Sequence, residues 1–225
     1  MRKKSRKQQK NDRRRIVPIT AKTPNQKEYI RDIVENDIIF CTGPSGSGKS
    51  YIAAGIAANH IYRNEVDEII VTRPLVCAGK DIGSLPGELD EKIKPYLLPM
   101  EENLKHFLGR DYYGKLFNDG RIRYEPLEVM RGATFHDAYM ILDEAQNCTL
   151  DQIKMFITRM GENSKVLING DIRQTDIRKF SGLLNCIDRL EDIEGVGVSR
   201  LYYEDIQRNG IIGRVLEALE EDYYD

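Results

Sequence analysis

The chain has 225 residues with 40% hydrophobic and 31% charged side chains, enough for a full buried core and ordinary for a globular domain. No apolar run approaches the roughly 20 residues that span a bilayer, no leader-like apolar stretch opens the chain, and the four scattered cysteines lack a C-x-x-C pair. These features exclude a membrane protein, a disulfide scaffold and a zinc module, and they predict a cytoplasmic protein.

The net charge of −2 hides an asymmetry. Residues 1–15 carry nine Lys or Arg and one Asp, so this tail holds +8 and the remainder −10. With no apolar residue after Met1 it cannot bury anything and is expected to be disordered in isolation. It reads either as an arm for phosphate backbones or as a solvated or membrane-surface basic run.

Residues 16–225 contain no internal repeat or Gly/Ser-rich linker, which predicts one domain. In chain order, "DIIFCT" from Asp37, "EIIVT" from Glu68, "AYMILD" from Ala138 and "KVLING" from Lys165 are apolar on both faces, as strands of a covered parallel sheet are. "GVGVSRLYY" from Gly195 alternates in part and is placed at a sheet edge. Helical patterns run over Tyr51 to Arg63 and over Leu150 to Gly161. The second opens on a capping-box spelling, Thr149 with Gln152, and closes at Gly161 as a C-cap. Alternating strands and helices predict an α/β fold with a mostly parallel sheet flanked by helices. Residues 74–130 interrupt the alternation with Pro-punctuated segments, read as a helical insertion.

The octet Gly43-Pro44-Ser45-Gly46-Ser47-Gly48-Lys49-Ser50 follows an apolar strand and opens a helix, the context a phosphate-binding loop requires. The glycines let backbone N–H groups turn inward beside a helix N-terminus. Lys49 is expected to reach the β- and γ-phosphates and the Ser50 hydroxyl to ligate Mg²⁺. That octet alone suits a nucleotide kinase, a GTPase or an ATP-driven motor. Asp143, at the end of the strand Tyr139 to Leu142, is the second candidate Mg²⁺ ligand, and Glu144 is placed to polarise an attacking water. A kinase, whose nucleophile is another substrate, does not need such an acid. Two acids at a helix start also serve as dipole partners. One strand further on, Gly170, Asp171 and Gln174 spell G-D-x-x-Q, placed to touch a γ-phosphate; taken alone it is also a plain turn.

After DEAQ, that G-D-x-x-Q resembles the third motif of superfamily 1 helicases. More broadly, "KTPNQKEYI", "GSLPGELDEKIKPY", "RGATFHDAYMILDEAQN", "VLINGDIRQTD" and "YYEDIQR" resemble the PhoH-like ATPases from about Thr23 onward. The resemblance implies a single RecA-like P-loop ATPase domain, associated in bacteria with phosphate starvation and common in bacteriophages. It implies that Gln26 reads adenine, for which a surface glutamine is the alternative. It implies that Arg73 contacts nucleic acid or nucleotide, or else forms a structural salt bridge. It implies that Arg208 acts as a finger on the γ-phosphate. Two departures stand out: Ala133 where many relatives have a second arginine, and Asn209 where a histidine often follows the late arginine. Longer relatives carry a PIN nuclease domain, and no nuclease activity is expected here.

The expected reaction is hydrolysis of ATP to ADP and phosphate with Mg²⁺, catalysed by Lys49, Glu144, Gln174 and Arg208. One lobe supplies half of a helicase-like site, so a homo-oligomer, by resemblance a hexameric ring, is expected to complete it. Single-stranded RNA or DNA, RNA favoured, is the expected partner. The competing function is a nucleotide-switched binding or assembly protein. A kinase is the third, and it lacks a compact arginine-rich lid.

Overall fold

In the computed structural model, residues 16–74, 89–177, 181–207 and 211–220 are described. The basic tail, Cys77, the opening residues 83–88 of "GSLPGELDEKIKPY" and Arg208 lie outside them.

The elements are α1 (Pro24–Glu35), β1 (Ile38–Thr42), α2 (Lys49–Arg63), β2 (Glu68–Thr72), α3 (Leu89–Leu108), α4 (Arg110–Asn118), β3 (Ile122–Tyr124), β4 (Ala138–Leu142), α5 (Leu150–Ile157), β5 (Lys165–Gly170), α6 (Leu183–Leu190), β6 (Val196–Arg200) and α7 (Ile211–Glu220). The strands form one six-stranded sheet in the order β3-β2-β4-β5-β1-β6, with every pairing parallel. The RecA-like α/β architecture is therefore present, and β6 lies at an edge as its alternation implied.

Period-2 alternation splits the sheet residues between two cores. Ile39, Cys41, Ile69, Val71 and Tyr139 pack under α1, α2, α3 and α4. Phe40, Ile70, Met140, Val166 and Ile168 pack under α5 and α6. Because both faces are covered, these strands need apolar residues at successive positions, and hydropathy alone revealed them. Cys41, Cys148 and Cys186 are buried free thiols.

Two local expectations change. The insertion is not helical throughout, since after α3 and α4 it adds the three-residue strand β3, which pairs with β2. A strand this short carries too little pattern to be read from sequence. The Thr149–Gln152 capping box forms, but α5 ends at Ile157 rather than at Gly161. Gly161 instead donates its N–H to the Phe135 carbonyl at 2.7 Å. A Cβ there would lie 2.5 Å from that oxygen, so close backbone approach explains this glycine.

Candidate nucleotide site

The site lies at the C-terminal ends of the parallel strands, where such sheets leave a crevice. Because β5 lies between β1 and β4, the segment after it stands between the phosphate loop and the paired acids. Backbone bonds hold the strand ends together: Gly43 N–H to Gly170 O at 3.2 Å, Leu201 N–H to Thr42 O at 2.7 Å, and Asp143 N–H to Thr72 O at 3.0 Å.

Gly43, Gly46 and Gly48 have φ of 155°, 85° and 101°, a backbone path that L side chains rarely follow. At Gly43 a Cβ would also meet Leu201 O at 2.6 Å. Ser47 is fully buried and its hydroxyl donates to Pro44 O at 2.8 Å, fixing the turn. α2 begins at Lys49, directly after the loop. The Lys49 ammonium donates to Gly43 O at 2.6 Å and to Pro44 O at 3.0 Å, which keeps its charge at the mouth of the loop. Phosphate oxygens arriving there offer charged acceptors, which make shorter and stronger bonds than carbonyls.

Across the crevice, the Ser50 hydroxyl donates to Asp143 Oδ1 at 2.8 Å. Asp143 is only 8% exposed. Burial, and then the neighbouring Glu144 charge, push its carboxyl above the usual aspartate range, while the Ser50 hydrogen bond, Arg73 and Lys49 pull it back. Glu144 has the left-handed backbone φ 57°, ψ 39°. Its Oε1 is 3.3 Å from Arg73 Nη2, and its Oε2 accepts from Gln146 Nε2 at 2.6 Å. Arg73 thus forms a salt bridge with the acid expected to polarise water.

Gln174 is exposed and lines the cavity; its N–H donates to Asp171 O at 3.1 Å. Gln26 is 3% exposed, and its carboxamide donates to Ser47 O at 2.9 Å and accepts from Lys22 N–H at 2.9 Å. It therefore braces the phosphate loop as well as lining the cavity. Arg208 lies outside the described residues, but the residue before it, Gln207, donates its N–H to Gly46 O at 3.0 Å. This contact is anchored by buried Asp205, which accepts from Thr23 Oγ1, from Asn25 Nδ2 at 3.0 Å and from Tyr202 N–H at 2.7 Å.

Gln26, Lys49, Ser50, Asp143, Glu144 and Gln207 are among the residues that line a cleft of about 520 Å³, a size that suits a nucleotide-scale ligand. Sequence reasoning overlooked Gln146, Gln207 and Asp205 as site residues, although all three stand inside the quoted motifs. Asn103 and His106 of α3 also line the cavity, and no local pattern pointed to them.

Among the described residues no three His, Cys, Asp or Glu side chains converge, so these residues do not build a resident metal cage. Adjacent oxygen donors from Ser50 and Asp143 do fit Mg²⁺, which takes few protein ligands and completes its shell with water and phosphate oxygens. Asp143→Asn should therefore abolish Mg²⁺-dependent nucleotide binding while raising the melting temperature of the ligand-free protein. The sign follows from the raised carboxyl: its ionised form is disfavoured by folding, so stability is greatest below the unfolded pKa and is lost as pH rises through the folded one. Calorimetric titration and thermal melting at neutral pH check both halves.

A parallel sheet, a glycine-turned phosphate loop opening a helix, and an acid pair on a nearby strand define a P-loop NTPase domain. One family model, described as "PhoH-like protein", matches residues 18–220, and the chain belongs to that family. It is 42% identical over 209 residues to a PhoH-like protein of Synechocystis sp., covering 92% of this chain and 64% of that one. It is 42% identical over 211 residues to Protein PhoH of Escherichia coli, covering 92% and 60%. The chain thus spans about three-fifths of the length of these relatives. In fold it resembles the large terminase of a thermophilic bacteriophage in complex with ADP, with TM-score 0.51, 12% identity, and coverage of 90% of this chain and 50% of that one. Among the described residues no helix is long and apolar enough to cross a membrane.

Proposed function

We propose that this protein hydrolyses ATP to ADP and phosphate in a Mg²⁺-dependent reaction coupled to single-stranded nucleic acid, RNA favoured, in the cytoplasm. The observation that carries the reading is Glu144, a partly exposed acid directly after buried Asp143 and facing the phosphate loop across the cavity. A carboxylate there can orient water toward a γ-phosphate, the role a hydrolase requires. Lys49 and loop N–H groups hold the β- and γ-phosphates and spread the charge that develops as the bond breaks. Mg²⁺, when bound at Ser50 and Asp143, neutralises phosphate charge. Gln174 senses the γ-phosphate, and the remaining carboxamide capacity of Gln26 meets adenine. Arg208, next to the loop-bound Gln207, is the proposed finger.

A homo-oligomer, proposed as a hexameric ring, completes the site. Support comes from exposed Ile172, Leu184 and Tyr202, which line one groove of about 140 Å³ on the Gly43–Pro44 side of the phosphate loop. Apolar surface of this kind is what subunit contacts cover. Sedimentation showing only monomers in ATP, with full hydrolysis, would remove the composite site.

The coupling is tested by ATP turnover with and without single-stranded RNA, single-stranded DNA and duplex. Stimulation by single strands is the expected outcome; an unchanged rate favours a nucleotide-switched assembly protein. Removing residues 1–15, with their nine cations, should weaken strand binding and flatten its salt dependence by about 0.7 in log–log slope per phosphate released. An unaltered slope would take the tail out of strand binding.

A further inference from the structure

The side chain of Gln146 is 2% exposed and both ends of its carboxamide are engaged. Nε2 donates to Glu144 Oε2 at 2.6 Å, and Oε1 accepts from Asp171 N–H at 2.9 Å. Its backbone oxygen accepts from Thr175 Oγ1 at 3.0 Å, and the side chain of its neighbour Asn147 accepts from Asp176 N–H at 2.8 Å. The segment 171–176, which presents Gln174 to the cavity, is thus docked on the residues that follow Glu144. Gly170 permits this approach: a Cβ there would lie 3.1 Å from both the N and Oε1 of Gln146, and 2.4 Å from Leu183 Cδ2.

We propose that Gln146 is a positioning residue that couples the γ-phosphate-facing segment after β5 to Glu144. An amide both donates and accepts, and here one glutamine side chain spans both partners. A shift of Asp171 and Gln174 when they meet or lose a γ-phosphate moves the acceptor end of this amide. Its donor end then moves the carboxylate that holds the water. Glu144 responds because its left-handed backbone and its two differently held oxygens leave its placement to its neighbours. This inference rests on the hydrolase reading.

The test compares wild type, Gln146→Leu, Gln146→Glu and Glu144→Gln, together with Gln146→Leu in the Glu144→Gln background. Single-turnover ATP hydrolysis and equilibrium binding of a fluorescent ATP analogue are measured across pH. Gln146→Leu should lower turnover about 10- to 100-fold with analogue affinity within about twofold, a loss of placement rather than of binding. In the Glu144→Gln background the same change should cost almost nothing more, because the two residues act as a unit. Gln146→Glu keeps an acceptor for Asp171 N–H but sets a second carboxylate against Glu144. It should move the acid limb of the rate profile to higher pH, a readout that mere packing does not produce. Wild-type turnover in Gln146→Leu, an undiminished additional loss in the double variant, or an unmoved acid limb overturns the inference while leaving the hydrolase reading intact. Wild-type protein that hydrolyses no ATP overturns both. Should Gln146→Leu melt early, the Gln146→Glu profile decides.

Discussion

Glu144→Gln is expected to lower ATP turnover by about 10²- to 10⁴-fold, the usual span for a positioned acid or base, while ATP binding persists. That loss corresponds to about 2.7–5.5 kcal/mol of transition-state stabilisation. The substitution keeps the size of the side chain and one acceptor oxygen for Arg73 or Gln146, while its amide nitrogen sets a donor against the other partner, so one of these two contacts is lost. What disappears is the carboxylate proposed to accept a proton from, or to align, the water. The protein should therefore hold ATP without releasing ADP and phosphate, visible as retained nucleotide after gel filtration. Hydrolysis at the parental rate would remove Glu144 from the chemistry and leave the hydrolase reading without its main support.

Lys49→Ala should act earlier, removing both binding and turnover. The ammonium is the one charge that the phosphate loop itself carries, held at its mouth by Gly43 and Pro44 carbonyls. Its loss leaves backbone N–H groups and the α2 N-terminus to face a polyanion alone. Removal of a single preorganised donor typically costs about 10²–10³ in rate, and the affinity for ATP should fall as well. Binding titrations separate the two variants: Glu144→Gln retains ATP and Lys49→Ala does not. If Lys49→Ala bound ATP as tightly as the parent, the assigned phosphate position would be wrong.

The pH dependence of nucleotide binding carries a related signature. Because burial and Glu144 raise the Asp143 carboxyl, protonation competes with Mg²⁺ at a higher pH than for an ordinary aspartate. Mg²⁺-dependent affinity should therefore fall on the acid side sooner than a solvent-exposed ligand would allow. With Mg²⁺ withheld, the parent protein should lack that limb.

Much of this site was legible because its parts are local. A phosphate loop needs its glycines, lysine and hydroxyl within eight residues, since one turn of backbone must wrap one phosphate. Strands buried on both faces advertise themselves by continuous apolar runs, and the Thr149–Gln152 box forms as spelled because a cap involves one turn of chain. Residues whose roles depend on distant partners were harder to read. Gln26 looked like a base reader, and its amide also braces Ser47, 21 positions away. Arg73 was open between ligand contact and salt bridge until β2 and β4 were paired, which brings it to Glu144. Gln146 was visible as a letter in DEAQ, but its partner Asp171 lies 25 residues on. The strand β3 and the early end of α5 went unseen because sheet pairing at Ile122–Tyr124 and backbone crowding at Gly161 override weak local preference.

By itself, then, the sequence determined the place of the phosphate loop between strand and helix, the acids at a strand end and the parallel α/β class, since short-range geometry and hydropathy periodicity encode all three. The tertiary structure alone decided that β5 lies between β1 and β4, that Arg73 and Gln146 grip opposite oxygens of Glu144, and that Gln207 closes onto Gly46. The physical reason is one of range: strand order and side-chain bonds between residues tens of positions apart are chosen by the packing of the whole sheet, which no local stretch specifies.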